Sequence, residues 1–182
     1  FLRSFAMINM VNPQGNHIGG LDGFLKSLGY AIKLIKPTRV VLVFDGQGNI
    51  TNRRNTYAEY KANRQIKRVT NFQVFSSLEE ESDSIADQMM RLLDYLKTLP
   101  INISIIDKIE ADDTIAYLSQ KLKDDVIIYS ADQDFLQLVN DRITVYSPIK
   151  KKFYKPNDVY EQYGMHPYNF ITMKCLMGDK SD

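Results

Sequence analysis

Cysteine occurs once in this 182-residue chain, at Cys175, and histidine twice, at His17 and His166. One thiol closes no internal disulfide, and so few soft ligands leave almost no room for a Cys/His zinc centre. The same scarcity disfavours hydrolases that work through a Ser/His/Asp or Cys/His nucleophile, and no such arrangement is visible. No run approaches the roughly 18 apolar residues of a membrane span. The opening FLRSFAMINMV has neither the long apolar centre nor the small-residue cleavage site of a signal peptide. Nucleotide binding ranks low, because neither GxxxxGKS/T nor a GxGxxG after a strand is present. The expectation is a soluble, cytoplasmic protein in reducing surroundings, with no membrane among its partners. The chain begins on Phe1 and stops after Gly-Asp-Lys-Ser-Asp, so it reads as a piece of a longer protein, truncated at both ends.

What is present suffices for one core: 44% of residues are hydrophobic and 25% charged, which is ordinary for a single globular domain. The formal net charge is only +1. That sum hides a distribution, since acids gathered in one pocket would leave a basic shell suited to a polyanion.

Four segments rich in β-branched residues predict strands at 39–44 (RVVLVF), 101–106 (INISII), 125–130 (DVIIYS) and 142–147 (RITVYS). Helical periodicity falls at 21–36, which runs into Pro37, and at 82–99, which runs into Pro100. EADDTIAYLSQKLK and DQDFLQLV read as helices after the second and third strands, and NDVYEQYG and HPYNFITMKCLMGD as two more. Alternating strands and helices imply an α/β fold with a mainly parallel central sheet and helices on both faces. There is no internal repeat. From Gln47 to Glu81 the chain is polar and basic, with Arg53, Arg54, Lys61, Arg64, Lys67 and Arg68 interleaved with Tyr57, Tyr60 and Phe72. A long segment outside a sheet is usually functional or disordered, and function is the favoured expectation here.

Carboxylates follow three of the strands: Asp45 the first, Glu110, Asp112 and Asp113 the second, Asp132 and Asp134 the third. Open parallel sheets bind ligands beyond the carboxyl ends of their strands, so these acids are expected at one edge. Helical spacing puts Glu110 and Asp113 near one face, and alternation puts Asp132 and Asp134 on one side if that piece is extended. Any one of these acids alone is an ordinary helix cap. Three clusters at strand ends are harder to explain by capping. Oxygen donors in such number select Mg²⁺ or Mn²⁺ over zinc, and two ions would accommodate them and clamp a phosphodiester.

IEADDTIAYL, SADQDFLQLV, YKANR (60–64) and the terminal LMGDKSD together resemble the motifs of the 5′-nuclease superfamily. This superfamily includes bacteriophage flap endonucleases and the 5′-nuclease domains of DNA polymerase I-type repair polymerases, on a PIN-like fold. GNHIGGLDGFL (15–25) is similar to the family's glycine-rich entry to its second helix, which adds Gly19 and Gly20 as substrate-binding candidates. The resemblance implies one catalytic domain over 1–182. It implies a helical arch or gateway at about 47–85 and the start of a helix-hairpin-helix-like DNA-binding module at about 166–182. It also implies that Asp45, Glu110, Asp112, Asp113, Asp132, Asp134, Asp179 and Asp182 hold two Mg²⁺, with Mn²⁺ as a substitute and Asp113 the farthest from the ions. Lys61 and Arg53 would serve the scissile phosphate, Tyr60 would stack on the terminal base, and Arg64, Lys67 and Arg68 would hold phosphates. For Lys67 and Arg68 a solvated helix face is an equal alternative.

The implied function is metal-assisted 5′-3′ exonuclease and flap endonuclease cleavage of DNA with 5′ ends or 5′ flaps, extending to RNA in RNA:DNA hybrids. The implied state is a monomer, with K⁺ in the rest of the DNA-binding module. Two family pieces fall outside the chain: a first-strand aspartate before Phe1 and the remainder of that module. Residues 1–182 alone are therefore expected to cleave weakly or not at all, compared with an extended version. The rival readings are a PIN-type ribonuclease and a non-catalytic DNA-binding or scaffolding domain on the same fold. The long basic insertion and GDKSD weigh against the first, and metal titration separates the second.

Overall fold

The computed structural model describes residues 1–48, 55 and 69–178. In chain order these form α1 (Leu2–Met7), α2 (Gly19–Ile35), β1 (Val41–Asp45), α3 (Leu78–Lys97), β2 (Asn102–Ile106), α4 (Ala111–Lys121), β3 (Val126–Tyr129), β4 (Ile143–Ser147), β5 (Lys152–Tyr154), α5 (Pro156–Tyr163) and α6 (Phe170–Met177). The mixed α/β class and all four expected strands are present. The described ladders fall into two sheets, β1-β2 and β3-β4-β5. β3 and β4 run parallel, Val126 opposite Ile143 through Tyr129 opposite Tyr146. β5 was not expected. It follows β4 after a turn too short for a crossover, so it pairs antiparallel, with Val145 opposite Tyr154. No helix among the described residues is long and apolar enough to cross a membrane.

The described chain divides into two compact units, one of residues 1–42 and 69–104, the other of 43–48, 55 and 105–178. In the first, α1 packs on α2 through glycine. A Cβ on Gly19 would lie 1.8 Å from the Ile8 carbonyl oxygen, and one on Gly23 2.6 Å from the Ser4 Cβ. Phe5 is fully buried, stacked on Phe75 at 5.4 Å and edge-on to His17 at 4.8 Å. α3 begins earlier than its periodicity suggested, because Ser77 caps it by accepting from the Glu80 N–H at 3.1 Å. Its buried stripe is Glu81, Gln88, Leu92 and Leu96, at helical spacing.

Two of those four are polar, and both are satisfied. The Gln88 Oε1 accepts from the N–H groups of Gly20 and Leu21, which lie in the first turn of α2, while its amide donates to the His17 carbonyl at 2.9 Å. The His17 Nε2 lies 2.7 Å from the Ile8 carbonyl, so that nitrogen carries the proton and Nδ1 accepts from Gln88. The Glu81 carboxylate accepts from the Asn71 N–H, the Thr70 hydroxyl and the Thr70 N–H.

In the second unit Ile128, Phe135, Leu136, Val139, Ile143, Val145, Tyr154, Val159 and Phe170 form one core. Full burial of side chains of this size contributes about 1.5–3 kcal/mol each before entropy is counted. Residues Gln133–Leu138 form a 3-10 helix rather than an α-helix. Asp132 caps the turn, and six residues bring Leu136 and Val139 into the core. The Arg142 guanidinium donates to the Asp124 and Ser119 carbonyls, both at 2.9 Å, tying the end of α4 to the start of β4.

Candidate functional site

Asp45 ends β1, and the next residue has to be glycine. A Cβ on Gly46 would lie 2.3 Å from the Ile106 carbonyl oxygen and 2.7 Å from the Asp107 nitrogen. This close approach lets residues 45–47 bond to the loop leaving β2. The Gln47 N–H donates to Asp107 Oδ1 at 3.0 Å, and the Lys108 N–H to the Gln47 carbonyl at 2.9 Å. Lys108 adopts φ +62°, turning the chain into α4. The third bond runs from the Ala111 N–H to Asp45 Oδ1, at 2.9 Å. Glu110, the cap residue of α4, makes no side-chain cap bond, so a carboxylate 66 residues away does that work.

Four carboxylates therefore share one helix start: Asp45, the buried Glu110, and Asp112 and Asp113 in the first turn. The positive end of the helix dipole offsets part of their repulsion. At the end of β3, Asp132 accepts from the Asp134 N–H at 2.8 Å and itself donates its N–H to the Ser130 hydroxyl at 3.1 Å. Asp134 forms an ion pair with Lys174 of α6, so a cation already sits on this acid. Lys174 was not singled out from the sequence. Its signal was faint, a lone lysine in the apolar run FITMKCLM.

All six of these acids belong to the second unit. Their donor chemistry, oxygen without sulfur or imidazole, fits a hard divalent cation. Among the described residues, however, no three His, Cys, Asp or Glu side chains converge closely enough to hold an ion. Asp179 and Asp182, the remaining candidates, lie outside the described residues, as do Arg53, Tyr60, Lys61, Arg64, Lys67 and Arg68. Gly19 and Gly20, expected at the substrate, are buried in the first unit. Gly19 admits the Ile8 carbonyl, and the Gly20 N–H is engaged by Gln88.

A sequence model of the 5′-3′ exonuclease N-terminal, resolvase-like domain matches residues 1–164. DNA polymerase I of Bacillus subtilis is 32% identical over 98% of the chain, which spans 19% of that protein. The 5′-3′ exonuclease of Buchnera aphidicola from Acyrthosiphon pisum is 30% identical over 98% of the chain, and the chain spans 58% of its length. Among solved structures, the T5 5′-exonuclease with bound zinc superposes at TM-score 0.70 over 87% of the chain and 58% of its own, at 22% identity. The bacteriophage T5 flap endonuclease, in a pseudo-enzyme–product complex with DNA and metal ions, superposes at 0.68 with the same identity and coverage. At that identity the two structures establish a shared fold.

Proposed function

The chain belongs to the 5′-3′ exonuclease family through its N-terminal resolvase-like domain, and on that premise we propose that it is a divalent-metal-dependent nuclease. It hydrolyses DNA phosphodiesters from 5′ ends and at 5′ flaps. The observation that carries this reading is the junction at the start of α4, where Asp45 and the Glu110–Asp113 run share one helix terminus. Asp132 and Asp134 add carboxylates from the end of β3 in the same unit.

In this reading Asp45, Glu110, Asp112, Asp113, Asp132, Asp134, Asp179 and Asp182 hold two Mg²⁺, for which Mn²⁺ substitutes. When bound, the ions would supply Lewis acidity, lowering the pKa of water toward neutrality and offsetting phosphate charge. The chain's own cations do the rest. Lys61 and Arg53 stabilise negative charge growing on the phosphoryl oxygens, and Arg64, Lys67 and Arg68 hold neighbouring phosphates. Tyr60 stacks on the terminal base. Lys174, paired with Asp134, competes with the ions for that carboxylate. The protein acts as a monomer, accepts RNA in RNA:DNA hybrids, and uses K⁺ in its DNA-binding module.

The test is Asp45→Asn in the protein's natural sequence context, assayed on a labelled 5′-flap duplex in Mg²⁺. Cleavage is expected to fall by about 100-fold or more, because several kcal/mol of transition-state stabilisation depend on the bound charge. The thermal melt should barely move, since asparagine keeps an Oδ1 for the Ala111 N–H. Undiminished cleavage by the variant, or by the unaltered protein in excess chelator, would overturn the reading.

A further inference from the structure

Beyond the carboxyl ends of β3 and β4 lies a cavity of about 110 Å³, lined among others by Ser130, Asp132, Ser147, Lys150 and Tyr154. Tyr154 is 2% exposed, yet its hydroxyl has no hydrogen-bond partner among the described residues. Leaving such a group unsatisfied costs about 1–3 kcal/mol, so it calls for an explanation. The two serines on the lining are already committed as acceptors. Ser130 Oγ takes the Asp132 N–H at 3.1 Å, and Ser147 Oγ takes the Lys150 N–H at 3.3 Å, which leaves each hydroxyl proton to be donated. Two of the lining acceptor oxygens are engaged as well: Asp132 Oδ1 by the Asp134 N–H, and Gln133 Oε1 by the Tyr163 hydroxyl. The lining is thus rich in donors, three hydroxyls and the exposed Lys150 ammonium, and one of them, the buried Tyr154 hydroxyl, has no partner among the described residues.

We propose that this cavity is a subsite for a single phosphate group, held by the Tyr154, Ser147 and Ser130 hydroxyls and Lys150. It is smaller than the roughly 300–1,000 Å³ of a small-molecule pocket, so it takes one group and not a whole nucleotide. The phosphate belongs to the DNA backbone beside the one that is cut, an assignment that rests on the nuclease reading. Asp132 links the two places, being both a proposed metal ligand and part of the cavity wall. A cation on Asp132 offsets the repulsion that its carboxylate would otherwise exert on the phosphate.

The decisive variant is Tyr154→Phe, which removes one oxygen and keeps the packing. If the pocket takes phosphate, isothermal titration with inorganic phosphate shows binding to the unaltered protein and about tenfold weaker binding to the variant, as for a lost hydrogen bond to an anion. The free variant should be as stable as the parent or more so in urea, because an orphaned hydroxyl is gone. On 5′-flap DNA, KM should rise by a similar factor with kcat held. Lys150→Met should lower the slope of log K against log salt by about 0.9, one phosphate contact. Absent phosphate binding, or equal binding by the variant, overturns the subsite even if the protein cleaves DNA. Tyr154-dependent phosphate binding without any flap cleavage by the protein in its natural sequence context sinks the nuclease reading and leaves the subsite standing. Tyr154-dependent phosphate binding with an unchanged KM overturns the DNA backbone as its source.

Discussion

Glu81 shows how a charged residue comes to occupy a helix's buried stripe. Burial pushes its carboxyl up, and the hydrogen bonds from Asn71 N–H, the Thr70 hydroxyl and Thr70 N–H pull it down further, so the net shift is below the ordinary glutamate value of 4.5. A folded value below the unfolded one means that the contribution to stability is complete above the unfolded value and disappears as pH falls through the folded one. Urea unfolding of the protein and of Glu81→Gln should therefore differ by about 1–3 kcal/mol at pH 7. The gap should close in the acid range below 4.5. A gap independent of pH would contradict the role given to these bonds. Neither Glu81 nor Gln88 was legible as a core residue, because a polar side chain on an apolar stripe is recognisable only once its partners, 4 to 71 positions away, are in place. Gly46 is a similar case, its need for a missing Cβ visible only against the Ile106 carbonyl.

Elements that declare themselves locally were read correctly. β1 to β4 are runs of β-branched residues, and α2 stops where Pro37 follows. Elements that depend on tertiary partners escaped: α1 is six residues held against glycines of α2, and β5 is three residues recruited by β4. Gln133–Leu138 has helical composition but takes the tighter 3-10 form once Asp132 caps it. The acids at the strand ends were legible from spacing, whereas their present partners were not, and Lys174 on α6 is the clearest instance. Its ion pair with the half-exposed Asp134 competes with any metal for that oxygen. Lys174→Met should tighten Mn²⁺ binding by up to about fivefold, the scale of a surface ion pair. Titration calorimetry that shows weaker Mn²⁺ binding would instead make the lysine part of the site's support.

For the molecule as a whole, the near-neutral total charge is a sum that conceals carboxylates placed at the ends of β1 and β3 and the start of α4. The like charges at the start of α4 are the feature that sequence could offer, the helix dipole offsetting part of their repulsion while Lys174 pairs with Asp134. A ligand that binds the folded state alone stabilises it in proportion to its excess over Kd. Mn²⁺ at about 100 times its Kd should add about 2.7 kcal/mol, seen as a rise of several degrees in Tm that chelator reverses. An unchanged melting curve would count against the metal assignment across the entire chain.

The bond between Asp45 and Ala111 gives this position two independent demands, negative charge and a fixed reach. Glutamate satisfies the first and, one methylene longer, overshoots the amide that aspartate meets. Drift at residue 45 is thereby confined by both demands at once.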